Sequence, residues 1–125
     1  MILVDTSVWI DHLRRPDPAL VELLEKDEVA THSFVRLELA LGSLANRAKV
    51  LTALSKLPQA PVADTDDLFL LVDSRKLERR GIGITDLNLI ASALLDRSLS
   101  IWTRDRRLGE IADELGLRAQ IALGH

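Results

Sequence analysis

The chain has 125 residues, 47% of them hydrophobic and 28% charged; this suits one globular domain and excludes collagen-like, low-complexity and disordered chains. Its 16 Lys and Arg against 19 Asp and Glu give a formal net charge of −3, which speaks against a broad basic nucleic-acid-binding surface. Cysteine is absent, so disulfide frameworks, thiolate metal sites and cysteine nucleophiles are excluded. The opening MILVDTSVWIDHL lacks the basic region of a signal peptide. No apolar run approaches the roughly 20 residues that span a bilayer. The expected setting is the cytoplasm, away from any membrane.

The apolar MILVD reads as a buried strand, followed by a helix from Val8 to Arg14 capped by Thr6 or Ser7. Pro16 and Pro18 punctuate the chain before a helix over Ala19 to Lys26. Glu28 to His32 is a second strand. Ser33 caps a long helical segment carrying Phe34, Leu37, Leu41 and Leu44, and another helix covers Asn46 to Lys56. Pro58 and Pro61 bracket a connector. Asp64 or Thr65 caps a helix to about Arg80, stopped by Gly81 and Gly83. Thr85 caps a very apolar helix from Asp86 to Asp96. Leu99 to Trp102 is a strand, Arg106 to Leu115 a helix ended by Gly116, and Ala119 to Leu123 a last short strand. This alternation predicts an α/β fold with a parallel sheet covered on both faces. Function in such sheets gathers at the carboxyl ends of the strands.

Four acidic residues stand out. Around Glu38 a helix places Phe34, Val35, Leu41, Gly42 and Ala45, so its carboxylate leaves the middle of an apolar face. A buried carboxylate needs a partner, which is either an Arg or a metal. Asp86 lies beside Leu89, Ile90 and Ala93; it is either a first-turn acid favoured by the helix dipole or part of a site. Asp5 and Asp105 follow strands and could each be a turn or cap residue. Taken together, two acids at strand ends and two on apolar helix faces are able to converge on one pocket. Four carboxylates sharing a pocket raise one another's pKa unless a cation offsets them. Hard oxygen donors without sulfur favour Mg²⁺ or Mn²⁺, the usual equipment of phosphodiester hydrolysis.

The segments MILVDTSVWIDHL, RLELALGS, GIGITDLNLIASAL and IWTRDRRLGEIADELGL resemble, in that order and across essentially the whole chain, those of PIN domains. More narrowly they resemble VapC toxins of bacterial toxin–antitoxin pairs. The acids are separated by 33, 48 and 19 residues. The resemblance implies a single PIN domain over residues 1–125. It would be a three-layer α/β/α fold with a short, mostly parallel sheet of about five strands and about seven helices. It further implies a Mg²⁺- or Mn²⁺-dependent endoribonuclease, with Asp5, Glu38, Asp86 and Asp105 at the metal-site positions. Thr6, Ser7 and Thr103 match the supporting polar positions. It also implies a VapB-type antitoxin that blocks the site, and a toxin homodimer. An acidic pocket would suit an inhibitory Arg from such a partner. Asn88 either touches the site or supports the first turn of its helix.

RNA binding needs positive charge near the phosphates. The candidates are Arg14 and Arg15, the cluster Arg75, Lys76, Arg79 and Arg80, which reads as a solvated face, and Arg104, Arg106 and Arg107, which flank Asp105. The only aromatic residues are Trp9, Phe34, Phe69 and Trp102, too few for a stacking platform. A metal-independent mechanism would need two placed histidines, and only His12, His32 and His125 exist. A receiver-type phosphoacceptor would carry adjacent acids after the first strand and a late Lys, whereas this chain has DTS there and no Lys beyond Lys76. A degenerate PIN-like domain that binds RNA or protein without cutting would lack part of the acidic set. Setting the four acids aside leaves 16 basic against 15 acidic residues, compatible with an enzyme acting on a local stretch of RNA.

Overall fold

A computed structural model describes residues 1–121. The elements run β1 (Ile2–Val4), α1 (Thr6–Arg14), α2 (Pro18–Glu25), β2 (Val29–Ala30), α3 (Ser33–Leu41), α4 (Arg47–Ser55), α5 (Thr65–Arg75), α6 (Ile84–Leu95), β3 (Ser100–Trp102) and α7 (Arg106–Glu114). The sheet order is β2-β1-β3. Both pairings are parallel, with Leu3 opposite Ala30 on one side and Ile101 on the other. Successive strand residues face opposite sides of a sheet, and Leu3 and Val4 are both fully buried. Each face of the sheet is therefore covered by helices, and the core extends to both sides through Leu20, Leu39, Leu89, Ile90 and Ile111.

The described residues contain seven helices, as expected, but three strands rather than about five. The two outer positions are reduced to single parallel bridges, Thr31 to Gln59 and Ile101 to Arg118. The expected strand at Ala119 to Leu123 is thus a bridge at residue 118, and residues 122 and 123 lie outside the described residues. The strand expected over Glu28 to His32 shrinks to two residues because His32 already turns into a helix: its Nδ1 accepts from the Phe34 N–H at 2.9 Å and caps α3, displacing Ser33 from that role.

Other boundaries shift for local reasons. The first helix starts at Thr6 because Asp5, not Thr6 or Ser7, is its N-cap. The segment expected to reach Leu44 ends at Leu41, where the Arg47 guanidinium donates to the Ala40 carbonyl at 3.1 and 3.3 Å. The helix expected to run to Arg80 stops at Arg75, with Lys76 in the left-handed region at φ 54°. The most apolar helix begins at Ile84 and is capped by the Gly83 backbone rather than Thr85. Its polar residues are satisfied internally: Asn88 Nδ2 donates to the Ile84 carbonyl at 2.9 Å, and Ser92 donates to the Pro61 carbonyl.

Candidate active site

The site is assembled at the carboxyl end of the sheet. The Asp5 N–H donates to the Trp102 carbonyl at 2.9 Å and extends the ladder one residue past β1. Asp5 is extended (φ −71°, ψ 157°), and the chain enters α1 directly after it. Its carboxylate is buried and held by three neutral donors: the Thr6 N–H on Oδ1, and the Ser7 and Thr103 hydroxyls on Oδ2, each at 2.7 Å. Both hydroxyls are themselves bonded from the loop between β3 and α7. Ser7 Oγ accepts from the Arg104 N–H and Thr103 Oγ1 from the Asp105 N–H, each at 3.0 Å. One strand-end carboxylate thus organises α1 and the loop 103–105 around itself.

Thr6 joins the second acid. While its N–H binds Asp5, its hydroxyl donates to Glu38 Oε1 at 2.6 Å. Glu38 is not buried, contrary to the expectation from its apolar neighbours. The half of α3 that carries it overhangs solvent, and Leu41, one turn on, is 87% exposed. Glu38 has no Arg partner among the described residues. Among the described residues no ion pair reaches Asp5, Glu38, Asp86 or Asp105.

Asp86 projects from the first turn of α6, where Oδ2 accepts from the Gly83 N–H at 3.3 Å. Its pKa is pushed up to about 6, first by burial and then by the charges of Asp5, Asp105 and Glu38, against the lowering effect of the Gly83 N–H. Asp105 caps α7, its Oδ1 accepting from the Leu108 N–H at 2.9 Å. Asp5, Glu38, Asp86 and Asp105 line one open cleft of about 510 Å³, together with Thr6, Ser7, Ile10 and Leu41. All four acids singled out in the sequence are therefore brought to one place, as are Thr6, Ser7 and, through its bond to Asp5, Thr103.

The donor set fits a hard divalent cation. One oxygen each of Glu38, Asp86 and Asp105 is tethered, while Glu38 Oε2, Asp86 Oδ1 and Asp105 Oδ2 take no hydrogen bond among the described residues. No three acidic or His side chains of the described residues stand close enough to enclose an ion unaided. Mg²⁺ does not require that, since it keeps several waters and takes one or two carboxylates directly.

The three arginines that flank Asp105 divide. Arg104 is engaged, Nη1 with Asp11 Oδ2 at 2.6 Å and Nη2 with Asp17 Oδ2. Arg106 makes a loose contact to Glu110 at 3.8 Å, and Arg107 Nη1 lies 3.5 Å from the Gly81 carbonyl; both are exposed. Asn88 points its amide at its own helix and supports the first turn. Asp11 and Asp17, which no sequence pattern connects with Arg104, are the partners missed. The one available signal is Asp17 ahead of Pro18, a helix-start pattern, and it indicates a cap rather than an ion pair.

Residues 2–114 match the family model described as the PIN domain. The chain is 50% identical over 117 residues, 94% of each sequence, to Ribonuclease VapC32 of Mycobacterium tuberculosis strain CDC 1551 / Oshkosh. It is equally similar to the protein of that name from strain ATCC 25618 / H37Rv. With a parallel sheet, seven helices and a site at the strand ends already described, the chain belongs to the PIN-domain family, in its VapC-type ribonuclease branch.

Proposed function

We propose that this chain, read as one PIN domain, is the toxin of a VapBC pair, an endoribonuclease that hydrolyses RNA phosphodiester bonds with Mg²⁺ or Mn²⁺. The observation that carries the reading is the shared cleft of Asp5, Glu38, Asp86 and Asp105, with no cationic side chain of the described residues paired to any of them. One or two of these carboxylates would bind the cation directly and the others through its waters; when bound it supplies an acidified water and offsets phosphate charge. Asp5 is oriented by three donors. Thr6 fixes Glu38 relative to Asp5 through one hydroxyl, and Asp86 faces them from α6. Such supporting hydrogen bonds set ligand orientation and basicity. Arg106 and Arg107 are exposed and only loosely engaged, so phosphate could reach them.

Two different surfaces support the expected partners. A guanidinium from a VapB-type antitoxin would find four carboxylates without a basic partner of their own. A homodimer would cover part of the apolar surface left exposed at Phe69 and Leu70 on α5. Among the described residues no helix is long and apolar enough to cross a membrane. The test is cleavage of defined RNA by the purified chain with Mg²⁺ or Mn²⁺, with chelator and with Asp5→Asn. Cleavage that needs the cation and is lost in the variant is expected. Wild-type rates in Asp5→Asn would overturn the reading, and a monomer by light scattering would overturn the dimer.

A further inference from the structure

Arg104 sits between Thr103, which donates to Asp5, and Asp105, which lines the cleft. Its guanidinium turns back toward α1. Nη1 meets Asp11 Oδ2 at 2.6 Å and Nη2 meets Asp17 Oδ2, while the group lies 5.8 Å from the centre of the Trp102 ring. Both carboxylates are themselves fixed in the fold. Asp11 is on α1, the helix that begins at Asp5. Asp17 caps α2, Oδ1 accepting from the Ala19 N–H at 2.9 Å, and its own N–H donates to His12 Nδ1 at 3.0 Å.

We propose that Arg104 is a positioning residue: by bridging Asp11 and Asp17 it pins the loop 103–105 to α1, and so sets where Asp105 stands relative to Asp5. The inference rests on reading these two acids as members of the metal site. The loop is three residues long between β3 and α7, and the guanidinium is the one ion-paired group in it among the described residues. Lone exposed ion pairs contribute little, but here one planar group spans two anchored carboxylates, a geometry suited to Arg and not to Lys. Asp17 keeps its charge for this role. Burial pulls its pKa up, and the Ala19 and Leu20 N–H groups together with Arg104 more than reverse that. A displacement of about 1 Å at a reacting group can cost roughly 100-fold in rate, so a clamp on this loop acts on turnover without touching RNA.

The rival role, a phosphate contact by Arg104, predicts the opposite signs. The experiment compares the full chain as wild type, Arg104→Ala, Arg104→Lys, Asp11→Asn/Asp17→Asn, and the triple variant. It measures single-turnover cleavage, KM, the salt dependence of RNA binding, Mn²⁺ affinity by titration, and thermal melting. Asn retains the cap on α2. The clamp predicts a roughly 10- to 100-fold fall in kcat for Arg104→Ala with KM little changed, Mn²⁺ binding weakened by about tenfold, and an intermediate Arg104→Lys. It predicts a similar fall for Asp11→Asn/Asp17→Asn, and no further loss in the triple variant. The salt slope stays at the wild-type value. A slope reduced by about one unit in Arg104→Ala, or Asp11→Asn/Asp17→Asn cutting RNA as well as wild type, would overturn the clamp. A wild-type chain that neither cleaves RNA nor binds Mn²⁺ would overturn the nuclease reading instead.

Discussion

Thr6 Oγ1 donates to Glu38 Oε1 at 2.6 Å while the Thr6 N–H donates to Asp5 Oδ1 at 2.7 Å, so one residue couples two acids 33 positions apart in the chain. Thr6→Ala removes the coupling without removing an acid. Loss of an outer hydrogen-bond partner typically costs about 10- to 100-fold in metal affinity or activity. Thr6→Ala is expected to cleave RNA in that range below wild type, whereas Thr6→Ser, which retains the hydroxyl, stays within about threefold. Steady-state kinetics at saturating Mn²⁺ check both.

Asp5→Asn is expected to lose at least about 100-fold in cleavage rate, beyond the range typical of outer-partner loss. Its fold should persist, because an amide oxygen can still accept from the Thr6 N–H and the Ser7 and Thr103 hydroxyls can reverse their bonds. The same variant tests binding directly. Mn²⁺ at 100 times its Kd stabilises a protein by about 2.7 kcal/mol, and the resulting rise in Tm should be present in wild type and absent in Asp5→Asn. Circular dichroism separates this from unfolding.

Asp86 carries a pH signature. Burial and the three neighbouring acids raise its pKa to about 6 in the folded chain, above the value near 3.9 of an unfolded Asp. A raised folded pKa gives stability that is complete below the unfolded value and is lost as pH rises through about 6. Asp86→Asn should therefore stabilise the cation-free protein at pH 8 by on the order of 1 kcal/mol, after allowance for solvent screening. The gain should vanish near pH 3.5. Melting in chelator across pH 3.5–8 measures it. In wild type, protons compete with the cation, so Mn²⁺ affinity should weaken as pH falls through about 6.

Glu38→Gln is expected to be neutral or stabilising by up to about 0.5 kcal/mol in chelator. The amide oxygen still accepts from Thr6, and one of four like charges is gone. Cleavage should fall with it. A clear drop in Tm in chelator would show instead that the charge supports the fold.

His32 supplies a second titration of opposite sense. It is fully buried, its Nδ1 accepts from the Phe34 N–H, and its Nε2 has no partner among the described residues. The ring is thus neutral with its proton on Nε2, and burial lowers its pKa. A lowered folded pKa means stability present above the unfolded value of about 6.5 and lost as pH falls through the folded one. His32→Asn keeps an acceptor at the α3 cap and should flatten the fall in Tm on the acid side of pH 6.5. His32→Ala should lose about 1 kcal/mol with the cap.

Much of this arrangement was legible in the sequence. The four acids were picked out by position, two after strands and two among apolar helix neighbours, and they do share a cleft. Glu38 shows the limit of that argument. Helical periodicity identifies an apolar face but not whether the face meets a core or an open cleft, and Leu37 and Leu41 turn out exposed. Lys76 shows another limit: a left-handed residue that is not glycine ends α5, and no local signal marks it. Arg104 adjoins Asp105, and adjacency alone suggests a substrate contact. The carboxylates that its guanidinium meets lie 93 and 87 positions away, and pairing over that distance is decided by topology. The outer strands failed for a similar reason, since a single bridge leaves no periodic trace.

The central strand of the sheet is made before either of its partners, and β3 follows 98 positions later, residue 100 against residue 2. β1 spans residues 2–4, yet the edge that meets β3 stays unpaired until residues 100–102 have been made. Thr103 and Asp105 follow immediately. Contacts closed over so long a loop slow folding. They also impose an order of events: a chain stopped before residue 100 lacks the β1–β3 pairing, and one stopped before residue 103 lacks the hydroxyl that orients Asp5. On the proposed reading of the site, the topology withholds the ability to cut RNA from any chain that ends before Thr103 and Asp105 have joined the fold.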